Sequence, residues 1–72
     1  MIYKIIAQTL GINQNDIKDT HDLVKDLGAD SLNIVEIVMS VEEDYEIEIP
    51  DDDVVELTTV RSIIEYIEQR QK

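Results

Sequence analysis

The segment from residue 29 to residue 49 contains neither glycine nor proline and lies between Gly28 and Pro50. Within it Ile34, Ile37, Val38, Val41 and Tyr45 follow an i, i+3, i+4, i+7, i+11 spacing. At about 100° per residue these positions form one contiguous stripe, so the segment predicts an amphipathic helix over Ser31 to Glu46. Asp30 or Ser31 can cap its first free amides, and Pro50 prevents further extension. Such a helix needs partners with the same period. Ile2, Ile5, Ile6 and Leu10 share one face of a first helix over Ile2 to Leu10, closed by Gly11. Val60, Ile63, Ile64 and Ile67 form the stripe of a last helix over Val60 to Gln69, opened by Thr58 or Thr59. Arg70 and Lys72 stand at its end, where cations are favoured. Asp51, Asp52 and Asp53 suit the start of a short helix over Asp51 to Glu56, because carboxylates are favoured at a helix N-terminus. With only two glycines and one proline, the chain lacks the turn residues of a hairpin-rich sheet. The expected fold is all-α: a small four-helix bundle, three longer helices plus one short helix, in a single domain over residues 1–72.

Seventy-two residues leave room for one thin core, since a domain of this size buries only about 60% of its unfolded surface. An apolar content of 43% suffices for that core and excludes a disordered acidic tail. No cysteine is present, so neither disulfides nor thiolate metal ligation can staple it. Residues 11 to 30 form a long loop between helices 1 and 2. There the irregularly spaced Ile12, Ile17, Leu23 and Leu27 serve as anchors to the core, and Asn13, Asn15, Asp16, Asp19 and Asp22 supply turn chemistry. A connection of this length is expected to be functional or to contain a short helical turn.

The second helix carries more apolar surface than its core stripe requires. Leu32, Val35 and Met39 fall on a neighbouring face with Glu36, Glu42, Glu43 and Glu46. Two readings are open. The bundle wraps more of the helix, which suits Leu32 best, or Val35 and Met39 form a partner-facing patch ringed by acid. Every charged residue from 26 to 60 is acidic, and the formal net charge is −11. That balance repels nucleic acid and anionic membranes and attracts basic protein surfaces. The apolar runs are too short to span a membrane and the first residues too polar for a signal peptide, so a cytoplasmic monomer is expected. Ser31 opens the helix. A serine there ordinarily caps the helix, but a phosphate ester on its hydroxyl would sit at the positive helix end.

A serine hydrolase would need Ser31 as nucleophile and His21 as base, but the chain has no Gly-x-Ser-x-Gly elbow, and His21 reads as an exposed loop residue. A calcium sensor would need alternating ligands and a glycine, which Asp51-Asp52-Asp53 lacks. No metal site is expected beyond loose divalent-cation binding at the acids.

Leu27-Gly28-Ala29-Asp30-Ser31-Leu32 resembles the modification-site motif of acyl carrier proteins. The resemblance continues through Val35-Glu36-Ile37-Val38-Met39, Val41-Glu42-Glu43, Glu48-Ile49-Pro50-Asp51, Leu57-Thr58-Thr59-Val60 and the helix around Ile63 to Ile67. It implies a non-catalytic carrier, not an enzyme, whose Ser31 bears a covalent 4′-phosphopantetheine arm transferred from coenzyme A by a phosphopantetheinyl transferase. The arm's thiol would hold growing acyl chains as thioesters for the basic-surfaced enzymes of fatty acid synthesis, or of a polyketide or other specialised acyl pathway. Carried onto this chain, Asp30, Val35, Glu36, Met39, Glu42 and Glu43 match the partner-recognition helix, and Leu32 beside the serine is counted with them. The apolar stripe and the hollow between the helices match the acyl-chain cavity. An unmodified acidic adaptor is the remaining alternative. Asn33, Ile34, Lys25 and a short first helix depart from the family pattern.

Overall fold

A computed structural model describes residues 2–70, and all its regular elements are helical. The first helix, α1 (Ile2–Leu10), buries Ile2, Ile5, Ile6 and Ala7. Gly11 ends it at φ +69°, in the left-handed region that glycine tolerates best, and the Ile12 amide turns back to the Ala7 carbonyl at 3.1 Å.

The long connection is not structureless. A 3-10 turn over Gln14–Asp16 is capped by Asn13, whose side chain accepts the Asn15 amide at 2.8 Å. Of the four expected anchors, Ile17 and Leu23 are buried, while Ile12 and Leu27 are half-buried against the core. The loop is also hydrogen-bonded to the start of the last helix. Leu23 donates to Thr58 at 2.9 Å, Val60 to His21 at 3.1 Å and Arg61 to Asp19 at 2.8 Å, all through main-chain groups. Gly28, at φ +74°, turns the chain so that Ala29 is buried before α2 begins. Nothing lies near the position a Cβ would take there, so the backbone angle, not space, demands the glycine.

α2 (Ser31–Tyr45) buries Ile37, Val38 and Val41, with Ile34 and Tyr45 half-buried at the ends of the expected stripe. It stops one residue short of the expectation, and Pro50 does not stop it. Glu46 takes the left-handed conformation at φ +55°, and the amides of Glu46 and Ile47 both point to the Glu42 carbonyl. The Glu42 carboxylate then accepts the Ile49 amide at 2.9 Å, so the chain folds around this one residue.

α3 (Asp51–Val54) is shorter than expected. Tight turns, Glu56 to Asp53 and Leu57 to Val54, replace the α-helical pattern after Val54. α4 (Val60–Arg70) begins at Thr59, which exchanges hydrogen bonds with Ser62, and it buries Val60, Ile63 and Ile67. Ile6, Leu23, Ile37, Val41, Val60 and Ile63 form the centre of the core, so all three longer helices and the loop contribute to it.

Candidate functional site

Ser31 is the first residue of α2 and is exposed. The cap is Asp30. Its side chain accepts the Asn33 amide at 2.9 Å, and the Asn33 side chain accepts the Asp30 amide at 3.1 Å. Asn33, a departure from the family pattern, thus completes a reciprocal capping box. The Ser31 hydroxyl takes no part in it. The box uses the Asn33 amide, and the Ile34 amide donates to the Asp30 carbonyl at 3.0 Å. The amides of Ser31 and Leu32 have no partner within the helix, and they are positioned to favour an anion.

Beside Ser31 lies a groove of about 560 Å³. The loop contributes Asp22, Val24 and Lys25, α2 contributes Ser31, Ile34 and Val35, and the far wall is Val54, Val55, Leu57 and Thr58. Val24 is 54% and Val55 74% exposed at its rim. The Asp22 carboxylate turns inward on the loop, accepting the Val24 and Lys25 amides at 2.9 Å each. The Lys25 amide above all holds Asp22 below the usual carboxylate range; partial burial opposes it, and the Val24 amide and the Lys25 charge reinforce it.

The predicted partner face divides. Leu32 is 66% and Met39 62% exposed, so the bundle does not wrap Leu32. Glu36 and Glu43 are exposed beside them. Val35, 49% exposed, belongs to this face and also lines the groove. Of the core stripe expected to line the cavity, only Ile34 reaches the groove. Asp30 is exposed but occupied by the cap, and Glu42 is half-buried and occupied by the Ile49 amide. A second, acid-lined hollow of about 890 Å³ runs between α1 and α2, with Glu36, Met39 and Glu43 on its margin.

His21 is half-buried, not exposed as expected, because its Nδ1 accepts the Lys18 amide at 3.1 Å within a turn. Among the described residues, no group of three or more His, Cys, Asp or Glu is placed to hold a metal ion. None of the described helices is long and apolar enough to cross a membrane. Sequence reasoning missed Val24, Val54 and Val55, because nothing in their local spacing marks them as walls of one groove.

A family profile described as "Phosphopantetheine attachment site" matches residues 2–67. The fold is similar to the solution structure of a protein assigned as an acyl carrier protein in Anaplasma phagocytophilum. The TM-score is 0.89 at 32% sequence identity, over 99% of this chain and 84% of that one. With an exposed serine opening the central helix and an apolar groove beside it, the chain belongs to the phosphopantetheine-attachment family, that of the acyl carrier proteins, and its prosthetic group is a covalent 4′-phosphopantetheine.

Proposed function

We propose that Ser31 is the attachment residue, and that this single-domain chain carries growing acyl groups among the enzymes of fatty acid synthesis without itself making or breaking a bond. The observation that carries the reading is the state of the Ser31 side chain. It is exposed, left out of the helix cap by Asp30, and set on the rim of an apolar groove. A cap serine would be occupied; this hydroxyl is available for a phosphodiester.

The surrounding residues fit such a group. The free amides at the start of α2 and the positive end of the helix favour the phosphate charge. Lys25, on the groove, adds the one positive side chain among the lining residues. The arm, when bound, supplies a thiol that holds acyl groups as thioesters. Val24, Ile34, Val35, Val54, Val55 and Leu57 offer a surface on which an aliphatic chain gains about 0.8 kcal/mol per buried methylene.

Delivery depends on the exposed face of α2. Glu36 and Glu43 steer basic surfaces, and Leu32, Val35 and Met39 add a small desolvated contact. A small, charge-rimmed contact releases quickly, as exchange among a phosphopantetheinyl transferase and several acyl-transfer enzymes requires. In this reading the carrier works as a cytoplasmic monomer.

The test is intact-protein mass spectrometry after incubation with coenzyme A and a broad-specificity phosphopantetheinyl transferase. Wild type should gain one phosphopantetheine and Ser31→Ala none. No gain on folded, initially unmodified wild type would overturn the reading in favour of an unmodified acidic adaptor. Loaded protein offered to fatty acid and polyketide enzymes in parallel then separates the two pathways.

A further inference from the structure

The walls of the groove beside Ser31 are not held alike. The α2 wall is fixed by the buried Ile37, Val38 and Val41. The loop wall is joined to α4 by the three main-chain hydrogen bonds between residues 19–23 and 58–61, and the Arg61 guanidinium on Asp19 Oδ2, at 2.9 and 3.2 Å, only adds to them. The α3 wall has no comparable support. None of its residues is buried, Pro50 gives it no side-chain cap, and its main-chain hydrogen bonds close within residues 50–57.

What ties α3 to the bundle, beyond the half-buried Val54, the buried Ile49 and Leu57 on either side and the Ile49 amide on the Glu42 carboxylate, is Asp53. Its Oδ2 accepts the Tyr66 hydroxyl at 2.7 Å and Arg70 Nη2 at 3.3 Å. Arg70 Nη2 also donates to the Tyr66 oxygen at 2.9 Å, and the guanidinium lies 4.4 Å from the centre of the Tyr66 ring. Partial burial first, and the bond to Asp53 second, push the Tyr66 phenol above its ordinary value, which keeps its proton available as a donor. The three side chains form a closed triangle, so loss of any one removes two of its three contacts and leaves the third unsupported.

We propose that Tyr66 and Arg70 are positioning residues for the acyl cargo: by holding α3 through Asp53, they set how closely Val54 and Val55 stand to α2 and so how much chain the groove covers. This rests on the reading that the groove beside Ser31 receives the cargo. This side-chain latch acts on the α3 wall and not on the α2 or loop walls, which are held by buried side chains and by main-chain hydrogen bonds.

The test compares Tyr66→Phe and Arg70→Gln with Arg61→Gln, all in the unmodified chain, by amide hydrogen exchange. The Val54 and Leu57 amides should exchange up to about tenfold faster in Tyr66→Phe, the factor that corresponds to about 1.4 kcal/mol, and about twofold faster in Arg70→Gln, which removes a solvent-screened pair. Arg61→Gln should leave them unchanged, since the main-chain bonds of the loop persist. The Val41 and Ile63 amides report whether the core stays folded. On protein loaded at Ser31, Tyr66→Phe should remove most of the protection of a decanoyl thioester against hydroxylamine while changing a butyryl thioester little. Unchanged exchange at Val54 and Leu57 in both latch variants overturns the proposal, as does faster exchange with unaltered thioester protection. Failure of wild type to load at Ser31 overturns the proposed function and the cargo role with it. It is told apart from failure of the latch because the exchange experiment needs no arm.

Discussion

If Asp30 rather than Ser31 caps α2, the two neighbours must differ sharply in what their removal costs. Asp30→Ala deletes the acceptor of the Asn33 amide at 2.9 Å and leaves the Asn33 side chain without its reciprocal role. Loss of an N-cap of this kind costs about 1 kcal/mol, within a range of about 0.5–2 kcal/mol. In a domain of this size that lowers Tm by about 4–8 °C. The removed carboxylate also relieves some self-repulsion in a chain of net charge −11, which moves the result toward the lower end. Asp30→Asn isolates the cap from the charge: it keeps an acceptor of equal quality and should stay within about 0.5 kcal/mol of wild type. Ser31→Ala, whose hydroxyl is outside the cap, should do the same while abolishing loading. Urea and thermal unfolding followed by far-UV circular dichroism measure all three. The reasoning is refuted if Ser31→Ala is as destabilising as Asp30→Ala, or if Asp30→Asn costs as much as Asp30→Ala. The first result would place the cap on the serine and remove the main support for its availability.

Glu42→Lys and Glu43→Lys should part company in stability: the first strips the acceptor from the amide of buried Ile49 and costs about 1–3 kcal/mol, whereas the second stays within about 0.5 kcal/mol. Denaturant midpoints of the pair check this, and Glu43→Lys is therefore the cleaner probe of transferase binding. Because the folded-state Asp22 carboxyl is lowered from 3.8, its stabilisation is fully present above that value and is lost as pH falls through the lower folded value. The stability gap between wild type and Asp22→Ala should thus hold above the unperturbed value of 3.8 and narrow as pH falls below it; a gap that does not narrow on acidification would contradict it. Glu46→Gly should raise Tm by several degrees, since it relieves a left-handed residue at φ +55° worth about 1 kcal/mol; an unchanged or lower Tm would mean that the Glu46 side chain offsets that cost.

Much of the bundle was legible in the chain because helical stripes are local. Ile37, Val38 and Val41 declare their buried face by spacing alone, and the same holds for Ile5 and Ile6 in α1 and Ile63 and Ile67 in α4. The motif around Ser31 was legible for the same reason, being contiguous. The tertiary structure decided what depends on partners far away in sequence. Leu32 and Met39 stay uncovered because α2 turns Ile37, Val38 and Val41, not them, into the core, and which apolar face is covered no wheel can show. Glu42, on paper one acid among many, is claimed by the Ile49 amide once the chain turns at Glu46. Val24 and Val55 lie thirty-one positions apart, yet they face one groove because main-chain bonds carry the loop to the start of α4 and a side-chain triangle carries α3 to its end. Periodicity fixes which face of a helix is apolar; only the packing of distant segments determines which apolar residues are left over, and those are what a cargo or a partner meets.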